Sequence, residues 1–225
     1  MAELLMIVPT RGRPRAALAL AQAWSETATG GAALLFLVDD DDPELPGYGA
    51  LGALGPAVHV GPRLRLGPTL HKASAEFASR YPMVGFMGDD HRPRTPGWDA
   101  AYIEALAEMG TGIVYGDDLL QGAALPTQVA MTSDIVEAMG GMAPGGLVHM
   151  YLDNLWKAVG ERLGCLRYLP DVVVEHLHPA AGKAQWDARY AEVNAPEVYA
   201  ADKARFEAWL ASGALDEVAA AVVDV

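Results

Sequence analysis

The chain has 225 residues, 52% hydrophobic and 20% charged, a globular composition that excludes disordered and collagen-like classes. Its 16 Lys and Arg against 29 Asp and Glu leave a net charge of −13, which disfavours non-specific binding to nucleic-acid phosphates or anionic lipid, since both need a positive field at the contact. One cysteine, Cys165, cannot close an intramolecular disulfide, so no oxidising compartment is implied.

The opening MAELLMIVPTRG lacks a basic flank and has too short an apolar run for a signal peptide. No stretch reaches the roughly 20 apolar residues of a membrane span, and the expected location is cytoplasmic. The length fits one domain.

Short apolar runs ending in Gly, Pro or Asp alternate with longer helical stretches, the pattern of an α/β sheet. Leu4 to Val8 is the first strand, and Pro14 suits the first turn of a helix bearing Ala17, Leu18, Ala21 and Trp24. Ala33 to Val38, apolar throughout, reads as a strand buried on both faces, and it stops at the run Asp39, Asp40, Asp41, Asp42. A short strand over Val58 to Val60 follows, then a helix capped by Thr69 and running to Arg80. Met83 to Met87 is a strand ending at Gly88-Asp89-Asp90-His91, and a helix runs from Asp99 to Met109. Ile113 to Tyr115 is a strand ending at Asp117-Asp118.

The second half reads differently. Leu119 to Met131 suggests a hairpin, Thr132 or Ser133 can cap a short helix, and Gly140 to Gly146 is a glycine-rich loop. A helix from about Met150 to Leu163 precedes two short strands, Tyr168-Leu169 and Val172 to Glu175, which lead into His176-Leu177-His178. Helical stretches over Gln185–Asn194 and Glu197–Ala211 complete the chain.

Three strands thus end in acidic clusters, and in open parallel sheets ligands bind in the crevice outside the carboxyl ends of the strands. Converging carboxylates repel one another, and a hard divalent cation such as Mg²⁺ or Mn²⁺, itself bridging phosphate oxygens, is the natural neutraliser. His176 and His178 straddle a strand end and share a face if the extended geometry continues.

In that order these residues resemble the nucleotide-sugar glycosyltransferases of the GT-A fold, particularly the large inverting family 2. Ile7-Val8-Pro9-Thr10-Arg11-Gly12-Arg13 is similar to the family's first strand and nucleotide loop, and Phe36-Leu37-Val38-Asp39-Asp40 to its second strand with a base-recognising aspartate. Gly67 through Lys72 resembles a glycine-to-Asn segment, with Lys72 in place of Asn. Phe86 to His91 with Pro96-Gly97-Trp98 resembles the metal-binding DxD strand and the helix start after it. Tyr151 to Trp156 is similar to the acidic motif supplying the catalytic base, and Pro170 to His176 to the late strand ending in a metal-ligand histidine. Two departures stand out: Gly88 occupies the first DxD position, and the base motif reads Leu-Asp rather than Glu-Asp.

The resemblance implies a single, mostly parallel α/β GT-A domain over residues 1–180, its nucleotide-binding half about 1–115 and its acceptor half about 116–180, with 181–225 a helical extension packed on it. It implies a metal-dependent glycosyltransferase moving a sugar from a nucleoside-diphosphate donor, a UDP-sugar by preference, to an acceptor hydroxyl with inversion. Asp153 is then the catalytic base. Pro9, Thr10, Arg11, Arg13, Asp39, Asp40, Lys72 and Asp89 contact the nucleotide, and Asp90, His176 and His178 are metal candidates for Mn²⁺ or Mg²⁺, with Asp89 or His91 assisting. Arg11 and Arg13 offer planar donor forks to phosphate or ribose. Asp117 and Asp118 are either acceptor contacts or a turn, and Lys183 and Tyr190 lie in either a surface helix or a segment folding over the nucleotide. Trp98 and Trp156 read as core rather than sugar platforms. Alternative readings are a non-catalytic nucleotide-sugar-binding module and a sugar-nucleotide nucleotidyltransferase, the latter disfavoured because the first turn has the single glycine Gly12. Modified bases of phage DNA are a conceivable acceptor, and a homodimer is left open.

Overall fold

The computed structural model describes residues 2–186 and 188–223. The apolar run after Glu3 forms β1, Leu4–Thr10, and its residues divide by parity, as the two-residue period of a strand requires. Leu5 and Ile7 face one cluster with Leu35, Leu37, Val84 and Val129. Leu4, Met6 and Val8 face the other with Leu34, Phe36, Val38 and Met83. Both faces of β1 are therefore covered, which is why it reads as continuously apolar.

β2 (Ala33–Asp39), β3 (Ala57–Gly61), β4 (Met83–Phe86), β5 (His91–Pro93), β6 (Ile113–Asp117), β7 (Val129–Thr132) and β8 (Leu166–His176) complete an 8-stranded sheet of order β3-β2-β1-β4-β7-β6-β8-β5. Pairing is parallel for β1 with β2 and β4, β2 with β3, and β6 with β8. It is antiparallel for β4 with β7, β6 with β7 and β5 with β8. The result is a single, mixed, mostly parallel α/β sheet flanked by helices.

Helices α1 (Pro14–Thr27), α2 (Leu66–Ala78), α3 (Trp98–Met109), α4 (Ser133–Ala138), α5 (Leu152–Leu163), α6 (Ala188–Val193), α7 (Pro196–Ala211) and α8 (Ala214–Val223) connect and cover the strands. α1 and α3 cover one face through Leu20, Trp24, Trp98 and Tyr102, with Trp24 and Trp98 meeting edge to face at 4.9 Å. α2, α4, α5, α7 and α8 cover the other through Leu70, Ile135, Trp156, Trp209 and Val218. Trp98 and Trp156 are core residues, at 0% and 1% exposure. Among the described residues no helix is long and apolar enough to cross a membrane.

Several elements depart from the expectations above. The hairpin over 119–131 does not form. Asp118 instead holds the turn at Leu120–Gly122, a 3-10 turn follows at Gly122–Ala124, and only Val129–Thr132 pairs, between β4 and β6. Pro126, with no N–H to donate, separates the two halves of that segment. The two short late strands are one strand, β8, whose register slips between Gly116 and Asp117 of its partner where Pro170 interrupts the ladder. α2 begins at Leu66 rather than at Thr69, with Gly67 and Pro68 inside its first turn, where a missing N–H costs nothing. The 3-10 segment Leu45–Leu54 and α8 were not expected. The helix expected over Gln185–Asn194 is α6, and Asp187 lies outside the described residues.

Candidate active site

β1 has β2 on one side and β4 on the other, so the chain reverses its direction of travel across the sheet between β1 and β4. Strand ends splay at such a switch point and leave a crevice. Here Thr10, ending β1, donates a 2.6 Å hydrogen bond to Asp89 Oδ2, just past β4. Around that bond opens a cleft of about 280 Å³, walled by the ends of β1, β2, β4 and β8 and by the starts of α2 and α5.

The two aspartates after β4 are shifted in opposite directions. Asp89 lies against Thr10 and, at 3.5 Å, the Arg13 guanidinium. Burial and the neighbouring Asp90 charge nonetheless push its carboxyl up to about 6. Asp90 turns Oδ1 toward His91 Nδ1 at 3.4 Å and His176 Nε2 at 3.6 Å. Its Oδ2 accepts the Tyr190 hydroxyl at 2.7 Å and sits 3.7 Å from Arg13. Burial opposes ionisation there, but the two imidazoles outweigh it and hold the Asp90 carboxyl well below the usual carboxylate range.

β5 and β8 set those imidazoles side by side. His91 pairs with His176 in register, and their rings stack at 4.3 Å and 17°. His91 Nδ1 accepts the Gly88 N–H at 3.1 Å, and burial together with His176 lowers its pKa. Asp90, His91 and His176 each present one ligand atom, all within 4.8 Å of one another. This donor set fits a divalent transition metal, because imidazole nitrogens suit that class and one carboxylate adds charge. Gly88 is fitted to it. A Cβ there would lie 2.6 Å from Asp90 Oδ1 and 2.9 Å from His91 Nδ1, so any larger residue in the first DxD position requires those two side chains to shift.

Across the cleft, Asp153 sits in the first turn of α5, after Tyr151 in the left-handed region at φ 65°. Burial raises its carboxyl pKa against the opposing hydrogen bond from Asn154 N–H. The turn leading to it is held from a distance. Asp202 on α7, fully buried, accepts the backbone N–H groups of Val148, His149 and Met150 at 3.1, 2.7 and 2.8 Å.

The aspartate run after β2 divides its tasks. Asp39 faces the cleft and accepts Arg11 Nη1 at 3.0 Å. Asp41 pairs with the same guanidinium at the surface. Asp42, buried, takes the N–H groups of Gly12 and Glu44 and the Tyr48 hydroxyl. Tyr48 in turn accepts the Arg13 N–H at 3.0 Å, which shapes the turn after β1.

The cleft therefore gathers Pro9, Thr10, Arg11, Arg13, Asp39, Asp89, Asp90, Asp153, His176 and His178. Two expected nucleotide contacts do not line it. Asp40 is exposed one residue past the end of β2, on the opposite parity from Asp39, and Lys72 is exposed almost a full turn further along α2 than Thr69. His178 lines the cleft, 5.1 Å from the His176 ring, yet the three-residue ligand cluster includes His91 instead. Asp118 is committed to its turn, accepting three backbone N–H groups and the Thr127 hydroxyl. Arg65, Thr69 and Asn194 also line the cleft, and nothing in their local sequence distinguishes them.

No protein-family model matches the sequence, and no curated protein does. Solved structures are similar. The mannosyltransferase PcManGT of Pyrobaculum calidifontis, solved with GDP-Man and Mn²⁺, is 16% identical at a TM-score of 0.62, over 97% of this chain and 73% of that one. S. aureus TarS residues 1–349 with UDP-GlcNAc is 11% identical at 0.57, over 86% of this chain and 64% of that one. A mycobacterial protein is 18% identical at 0.60, over 91% and 74%. The chain shares the GT-A-like fold of these structures.

Proposed function

We propose that the chain is a metal-dependent glycosyltransferase that moves a sugar from a nucleoside-diphosphate donor to an acceptor hydroxyl with inversion. The observation that carries this reading is the meeting, in one cleft at the β1/β4 switch point, of the Asp90–His91–His176 cluster and Asp153. The similar structures with GDP-Man and UDP-GlcNAc support a nucleotide sugar as the ligand class.

Asp39, at the end of β2, offers its carboxylate to a base N–H, as a uracil ring presents, and this favours a UDP-sugar. Arg11 and Arg13 border the same wall and supply donor forks for the diphosphate. Asp90, His91 and His176 would hold the divalent ion, which would supply charge stabilisation of the departing diphosphate without proton transfer. Asp153 accepts the acceptor hydroxyl's proton as its oxygen attacks the anomeric carbon and the carbon–diphosphate oxygen bond breaks. A carboxylate whose proton affinity is raised by burial is the better base for that step.

Gly88 departs from DxD where the Asp90 and His91 side chains crowd a would-be Cβ, so the departure has a packing reason and is not by itself a mark of a degenerate binding module. Nucleoside-diphosphate release should be measured with Mn²⁺ across a panel of UDP-sugars and GDP-mannose. Turnover lost in Asp90→Ala while nucleotide still binds is the expected result. Binding of nucleotide by the wild type without any transfer or hydrolysis would overturn it.

A further inference from the structure

Tyr190 belongs to α6, 100 residues beyond Asp90, yet its hydroxyl lies 2.7 Å from Asp90 Oδ2. Oδ1 of the same carboxylate faces His91 Nδ1 and His176 Nε2. The two oxygens are therefore split, one toward the ligand cluster and one tied back to the protein. The tyrosine ring is fixed in turn: the Arg13 guanidinium lies 3.9 Å above its centroid, Trp186 stacks on it at 5.9 Å and 18°, and His178 meets it edge to face at 5.3 Å. α6 itself is anchored to the segment before α2, where Glu192 accepts from both Arg63 and Arg65 at 3.1 Å.

We propose that Tyr190 is a positioning residue for the metal site, its O–H holding Asp90 Oδ2 so that Oδ1 alone serves as a one-oxygen ligand beside the two imidazoles. The role rests on the metal reading above. Ligating carboxylates need such partners, because a free carboxylate rotates and its second oxygen competes for the ion; loss of an outer partner costs about 10- to 100-fold in metal affinity. Tyr190 suits the task. A phenol is protonated at neutral pH, and its O–H is within hydrogen-bond distance of Asp90 Oδ2. The C-terminal segment thereby contributes to a site whose ligands all come from the first 176 residues.

The test is an electron paramagnetic resonance titration of Mn²⁺ against the full-length wild type, Tyr190→Phe, Asp90→Ala and a variant with p-aminophenylalanine at position 190, with metal-free melting curves for each. Tyr190→Phe is expected to weaken Mn²⁺ binding by about 10- to 100-fold, and p-aminophenylalanine, which restores an N–H donor on the same ring, to recover most of it. Wild-type binding abolished by Asp90→Ala but unchanged or tightened in Tyr190→Phe overturns this role and leaves the metal reading standing. Equal weakening in both position-190 variants also overturns it, because the loss then follows the ring's packing rather than its donor, whatever the melting curves show. Absence of Mn²⁺ binding by the wild type overturns the metal reading and this role with it.

Discussion

The carboxylate of Asp202 receives the backbone N–H of His149 at 2.7 Å, from a helix 53 residues further along the chain. Through that contact and its neighbours at Val148 and Met150, α7 holds the turn that presents Tyr151 and Asp153 to the cleft. Arg205 balances the buried charge at 2.8 Å.

Asp202→Ala leaves three amide donors without their acceptor, and should destabilise the fold by about 3 kcal/mol. Asp202→Asn, which keeps one acceptor oxygen, should cost less. Chemical denaturation of both variants checks the order. Burial alone would raise the Asp202 pKa, but the amides outweigh it and lower it. A depressed carboxyl adds stability above its unfolded value of about 3.9 and loses it as pH falls through the folded value. The gap between wild type and Asp202→Asn should therefore be constant near neutrality and shrink below about pH 4. A gap that widens on acidification would contradict the assignment.

Gly88→Asp, which restores the two-aspartate spacing of the DxD pattern, should impair the site rather than improve it. Its Cβ would meet Asp90 Oδ1 at 2.6 Å. Gly88→Ala is expected to weaken Mn²⁺ binding by about tenfold or more, with the larger side chain worse. Isothermal titration of the two variants decides it.

Asp153→Asn removes the proton acceptor and keeps the shape. Turnover should fall by about 10²- to 10⁴-fold while the donor KM changes little. Steady-state nucleotide release gives both numbers, and a variant that lost donor affinity instead would place Asp153 on the binding side.

Activity removed by chelation should return with Mn²⁺ far better than with Mg²⁺, since two of the three ligand groups are imidazoles, which Mg²⁺ accepts poorly. Recovery by Mg²⁺ alone at equal concentration would argue for an all-oxygen site elsewhere in the cleft.

What was legible beforehand is local. Leu4 to Val8 and Ala33 to Val38 are apolar at both parities, so they had to be central strands, and the acidic run Asp39 to Asp42 after the second had to open at a strand end. Asp90 and His176 stood out as candidates for the same reason, each lying just past the end of an apolar run. Gly88 was legible as a departure but not as a fit, because its constraint comes from atoms of Asp90 and His91 turned back over it.

The chain alone thus determined β1 to β4, β6, the first-half helices and the acidic strand ends, since period and turn chemistry act over a few residues. Only the tertiary structure decided which aspartate of the run faces the cleft, that Asp118 closes a turn, that 119–131 is not a hairpin, and that Tyr190 and Asp202 reach back to Asp90 and the α5 entry. Those contacts join residues tens of positions apart, and their partners are chosen by the packing of the sheet and its helices, which no local pattern encodes.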